Sequence, residues 1–110
     1  MIRVLVVDDH DLVRMGIVRM LSDSPDIDVI GEAADGETAI IKTKQLKPDV
    51  VLLDVNMPTI GGLEVTKRLL QTDKNTKILA VSSLVQQPYP SMLIKAGVSG
   101  YITKGTPLDE

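Results

Sequence analysis

No cysteine occurs among the 110 residues, so disulfide frameworks and thiolate metal sites are excluded. The same absence fits a reducing compartment. Tryptophan and phenylalanine are missing too, and Tyr89 and Tyr101 are the only aromatics, which leaves no platform for stacking bases. No apolar run reaches the length of a membrane span. Positive charge is not in excess: the net charge of −3 argues against gripping a phosphate backbone, so the chain by itself is not expected to bind nucleic acid. No phosphate loop of the Walker type is present, so any phosphoryl donor must come from another molecule. The chain opens on a strand-like pattern rather than on a basic region and an apolar leader, and a cytoplasmic location without membrane attachment is expected.

What is present is a rhythm of apolar runs and amphipathic stretches, with 44% hydrophobic residues to supply a core. Ile2–Val7, broken only by Arg3, runs into Asp8-Asp9, and Val50–Asp54 is four apolar residues closed by an aspartate, with a turn expected at Met57-Pro58. Short apolar runs without alternation suit strands buried on both faces of a parallel sheet. Ile27–Ala33 alternates in part and is expected at a sheet edge. Residues 78–81, ending at Ser82-Ser83, and residues 101–103, ending at Lys104, complete the strands. Between them, Val13, Ile17, Met20 and Leu21 fall on one face of a helix with Asp11 at its N-cap. Ala39, Ile40, Thr43 and Leu46 line a second helix, capped by Asp35 and stopped at Pro48. Leu63, Thr66, Leu69 and Leu70 line a third, opened by Gly61-Gly62, and a short fourth ends at Ala96, before Gly97. This alternation with short connections implies one α/β domain over residues 1–110, a parallel sheet with helices on both faces.

In open sheets of this kind, ligands bind outside the carboxyl ends of the strands. Asp8 and Asp9, Asp54, Ser82 and Lys104 each follow or end a different strand. Adjacent strands lie about 4.8 Å apart, so these groups can converge on one rim. Three carboxylates in a small space repel one another, and a cation relieves them. With an all-oxygen ligand set the cation should be hard, and Mg²⁺ is the best candidate. Lys104 adds a fixed positive charge, so the site is built to receive a dianionic group, phosphoryl above all. A carboxylate can then attack phosphorus to form an acyl phosphate, with Lys104 and the Ser82 hydroxyl stabilising the equatorial oxygens.

These residues, in this order on these elements, resemble the receiver domain of bacterial two-component response regulators over the whole chain. The Asp8-Asp9-His10 opening, Leu12-Val13-Arg14, and the stretch from Gly100-Tyr101 to Lys104-Gly105 are similar to the NarL/LuxR subclass, most of all to its Gac-type global activators. The resemblance implies a flavodoxin-like, CheY-like five-stranded sheet of order 2-1-3-4-5. It also implies phosphotransfer from a sensor histidine kinase to Asp54 with Mg²⁺, self-catalysed rather than enzymatic in the turnover sense. Carried over residue by residue, Asp9 and Asp54 hold the metal directly, Asp8 holds it through water, and Asn56 lends its backbone carbonyl. Ser82 and Tyr101 form the switch. One departure is Gly105, where many receivers carry a proline after the lysine in a cis bond. A cis bond without proline costs roughly 2.5–4 kcal/mol, so that geometry is not carried over.

Plainer readings stand beside these. An Asp-Asp pair alone is more often a turn than a metal site, and Ser83 competes with Ser82. His10, the only histidine, is expected to line the rim or face solvent rather than act as acid or base. A haloacid-type phosphatase also uses an aspartyl phosphate but wants an aspartate where Asn56 stands. A flavodoxin-like carrier wants a glycine- and hydroxyl-rich loop where Asp8-Asp9-His10-Asp11 stands. At the other end, Thr106 suits an N-cap, Pro107 a first helical position, and Asp109 and Glu110 a first turn. Receivers continue through a fifth helix, and this subclass into a helix-turn-helix DNA-binding domain, so both are expected outside this chain. The sheet face left without that helix is then expected to be apolar and to drive self-association.

Overall fold

The apolar runs become strands of one parallel sheet. A computed structural model describes residues 1–54, 62–72, 75–82 and 100–103, of which 62, 63, 82 and 100–103 are described by backbone alone. The element order is β1 (Ile2–Val7), α1 (Asp11–Ser22), β2 (Ile27–Ala33), α2 (Gly36–Leu46), β3 (Val50–Asp54), α3 (Gly62–Thr72), β4 (Lys77–Ser82) and β5 (Gly100–Thr103). The strands lie in the order β2-β1-β3-β4-β5, all pairs parallel. That is the flavodoxin-like order, and the partly alternating β2 is at the edge, where one row of backbone groups lacks a partner strand. The expected turn at Met57-Pro58, the loop over residues 86–90, the helix ending at Ala96 and the helix start at Thr106 lie outside the described residues.

The central strands are buried on both faces. Leu5, Val7, Val51, Leu53, Ile78 and Ala80 meet Ala39 of α2 and Val65 and Leu69 of α3 on one side. Fully burying a leucine such as Leu53 or Leu69 contributes about 1.5–3 kcal/mol. Val4, Val6, Leu52 and Val81 face the other side, where Ile17, Val18 and Leu21 of α1 cover them. Thr43 sits in the core of α2 with its hydroxyl donating to the Ala39 carbonyl, 2.7 Å away, so its polar atom is satisfied inside.

Both ends of α2 are closed by side chains. Asp35 Oδ1 accepts from the Thr38 N–H at 2.7 Å, the N-cap expected for it. At the other end Lys47 takes the left-handed conformation, φ 49°, and the Arg3 guanidinium donates to the carbonyls of Leu46 (2.7 Å) and Lys47 (2.9 Å). Those are the carbonyls a helix leaves without internal partners.

Two expectations for α1 need correction. Its N-cap is His10, not Asp11, and Asp11 stands in the first turn. Its inward stripe is Arg14, Ile17, Val18 and Leu21, whereas Val13 and Met20 are exposed. The stripe is rotated because an arginine takes an inward position that a count of apolar residues skips.

Candidate functional site

The sheet register builds the site. Val7 pairs with Leu53, so the next residues of the two strands, Asp8 and Asp54, emerge side by side. The Asp8 N–H continues the ladder to the Ala33 carbonyl at 3.0 Å. Both carboxylates are buried, at 1% exposure. Asp9 is partly exposed and His10 open to solvent. One ligand atom from each of Asp8, Asp9, His10 and Asp54 lies within 4.8 Å of the others. The three carboxylates expected to converge therefore do so, and a histidine joins them that the sequence reading left on the rim.

The loop carrying Asp8, Asp9 and His10 is held by two sets of bonds. The His10 N–H donates to Asp8 Oδ1 at 2.9 Å, a local turn that aims the carboxylate. Arg14, with a side chain 15% exposed, donates to the Asp8 carbonyl at 2.7 Å, to Asp11 Oδ1 at 2.7 Å and to Glu32 Oε1 at 3.1 Å. The Asp11 bond, opposed by partial burial and helped by Glu32, raises the guanidinium above its already high pKa, so it is a permanent cation. Arg14 was missed as a site residue. Its signal is a charged residue at the helical spacing of the buried stripe.

Beside this loop, Arg14, Glu32, Asp35, Thr38 and Lys42 line an open groove of about 390 Å³. Its cations are already engaged, Arg14 as above and Lys42 Nζ by the Glu32 carbonyl, so the groove does not compete for the role of the acidic centre.

A hard cation fits the acidic cluster. The carboxylates supply oxygen donors from two strand ends, and Asp9 Oδ1, shielded from solvent, accepts no hydrogen bond among the described residues. Of the other expected residues, Ser82 closes β4, one residue past Val81, the partner of Asp54. Tyr101 lies in β5 opposite Ala80. Their backbones place Ser82 on the acidic rim and Tyr101 one strand further out. Asn56, Lys104 and the Lys104-Gly105 bond lie outside the described residues.

Comparison with known proteins agrees with this geometry. A family model, the response regulator receiver domain, matches residues 4–110. The response regulator GacA of Pseudomonas protegens is 54% identical over 110 residues, all of this chain and 52% of that protein. The chain thus spans about half the length of such curated relatives. Among solved structures, a LuxR-family two-component response regulator from Aurantimonas sp. SI85-9A1 superposes with TM-score 0.93 at 34% identity, over 99% of this chain and 78% of that one. The receiver domain of the NarL regulator from Mycobacterium tuberculosis gives 0.88 at 34% identity, over 96% of this chain and 86% of that one.

Proposed function

The chain belongs to the response regulator receiver domain family, and from that premise we propose that Asp54 is its phosphoacceptor. Receivers of this family are phosphorylation-dependent signalling switches and are generally not enzymes in the turnover sense. The observation that carries the assignment is the buried Asp54 carboxylate at the end of a central strand, within 4.8 Å of ligand atoms of Asp8 and Asp9.

Asp8, Asp9 and Asp54 would hold Mg²⁺, with the Asn56 carbonyl as a further donor carried by the family likeness. When bound, the ion screens the carboxylates from one another and from the incoming phosphoryl oxygens. The Asp54 oxygen attacks phosphorus, an O–P bond forms as the donor's P–N bond breaks, and the electron pair leaves on the imidazole of a sensor histidine kinase. Lys104 and Ser82 would stabilise the oxygens of the transferring group. Ser82 and Tyr101 would then shift an existing equilibrium between two states of the domain.

The likeness to GacA and to LuxR-family regulators supports a DNA-binding output outside this chain, and the net charge of −3 argues against nucleic-acid binding by this domain itself. No described helix is long and apolar enough to cross a membrane. A cytoplasmic site of action is part of the proposal and rests on the receiver family. Self-association through the sheet face that a fifth helix would cover is a further element of the proposal, and exposed Leu12, Val13, Met15 and Met20 on α1 add apolar surface in its favour.

Acetyl phosphate with Mg²⁺ should place one base- and hydroxylamine-labile phosphoryl group on the wild-type chain. Excess chelator and the Asp54→Asn variant should each abolish it, whereas Tyr101→Ala should retain it. A labelled peptide lacking Asp54 would overturn the assignment.

A further inference from the structure

We infer that His10 gives the acidic centre a nitrogen ligand, making it a site where borderline divalent ions of the Zn²⁺ class displace Mg²⁺. The inference rests on the metal reading above and adds selectivity to it. His10 Nδ1 lies 3.3 Å from Asp9 Oδ1 and 3.6 Å from Asp8 Oδ1. Protein donors sit about 2.0–2.2 Å from Zn²⁺, so two ligands of one ion are about 3–4 Å apart. The imidazole is already at that spacing from two carboxylates.

The ring contacts that the structure gives are both to the acidic centre. His10 is the N-cap of α1, yet its side chain makes no capping bond. Its backbone N–H, not its ring, organises the loop through Asp8 Oδ1. The side chain is 69% exposed, so it can turn onto an arriving ion without disturbing the core. Asp9 Oδ1 points the same way: the atom is shielded and accepts no hydrogen bond among the described residues, although the His10 ring is 3.3 Å away.

Ligand chemistry decides which ion gains. Mg²⁺ prefers oxygen and keeps several waters, so an imidazole adds little to its binding. Ni²⁺, Cu²⁺ and Zn²⁺ all bind imidazole well, and the Irving–Williams order peaks at Cu²⁺. His10 therefore raises affinity for those ions selectively. Because they occupy the same carboxylates, they exclude Mg²⁺.

The test uses Zn²⁺, Mg²⁺ and Cu²⁺ as probes on the 110-residue chain. Zn²⁺ affinity is read by competition with a chromophoric chelator, and Mg²⁺ affinity by calorimetry. In His10→Asn the ratio of Zn²⁺ to Mg²⁺ affinity should fall by about tenfold or more, since loss of even an outer-shell partner costs about that much. Asp9→Asn should weaken both ions. Pulsed electron paramagnetic resonance of the Cu²⁺ form should show coupling to an imidazole nitrogen. With one histidine in the chain that signal reports His10 alone, and it should vanish in His10→Asn and weaken in Asp9→Asn. An unchanged affinity ratio overturns the inference and leaves the Mg²⁺ reading standing. An imidazole signal indifferent to Asp9→Asn also overturns it, because His10 would then bind metal outside the acidic centre. Mg²⁺ affinity indifferent to Asp9→Asn overturns the metal reading and the selectivity built on it together.

Discussion

Replacing Arg14 by alanine tests whether one side chain holds the acidic loop in place. The guanidinium makes three hydrogen bonds of unequal worth. Its ion pairs reach Asp11, 78% exposed, and Glu32, 43% exposed, and pairs this open contribute about 0–1 kcal/mol each. The bond to the Asp8 carbonyl is different. It is 2.7 Å long and partly buried, and a charged donor in that setting contributes about 1.5–3 kcal/mol. The expected cost of Arg14→Ala is therefore about 3 kcal/mol, a large share of the roughly 5–15 kcal/mol a domain possesses. Urea unfolding followed by far-ultraviolet circular dichroism measures it, and the midpoint should fall at constant slope. Asp11→Ala, which removes only the exposed partner, should cost under about 1 kcal/mol. High salt should erase the Asp11 effect and leave most of the Arg14 effect, since partly buried bonds are screened less. Equal costs for Arg14→Ala and Asp11→Ala would refute the reasoning, because the carbonyl bond would then contribute nothing.

Other expectations concern α2. Asp35→Ala should cost about 1 kcal/mol at neutral pH through the lost bond to the Thr38 N–H, 2.7 Å. That backbone donor, more than any other group, holds the Asp35 carboxyl below its ordinary pKa. A lowered folded value means the stabilisation is complete above the unfolded value of about 3.9 and is lost as pH falls through the folded one. The stabilities of the two proteins should therefore converge in acid, and a gap that persists there would contradict the cap. Lys47→Gly should stabilise by roughly 0.5 kcal/mol: relief of a left-handed residue at φ 49°, worth about 1–2 kcal/mol, exceeds the extra backbone entropy of glycine, about 0.5–1 kcal/mol. A lower thermal midpoint for that variant would show that the Lys47 side chain contributes more than its backbone strain costs.

The strands were legible because burial on both faces leaves an unbroken apolar run. β1 and β3 begin and end where their runs do. β4 starts one residue before its run, at Lys77, whose N–H reaches the Asp49 carbonyl at 3.0 Å. That bond depends on a neighbouring strand, and residue type does not record it. The buried face of α1 departs from the apolar count for a related reason. Arg14 occupies an inward position on account of a carbonyl at the end of β1, six residues back. Aspartate favours the cap position, which points to Asp11, yet its carboxylate is engaged by Arg14 three residues on. In each case a long side chain chose a partner that local propensity does not weigh.

The acidic centre was legible for a stronger reason. Where a strand is covered on both faces it cannot carry an unpaired charge, since burying one is prohibitive. The first place a carboxylate can stand is the strand end, and for parallel neighbours in register those ends share one edge. With Val7 beside Leu53, Asp8 and Asp54 have no alternative but proximity. The convergence thus follows from two apolar runs that each stop at an aspartate. His10 was not legible by that logic, because it is on a loop. Where its ring falls depends on the turn closed by Asp8 Oδ1 and on the direction in which α1 departs. The apolar runs determine the oxygen ligands, and the loop geometry determines whether a nitrogen joins them.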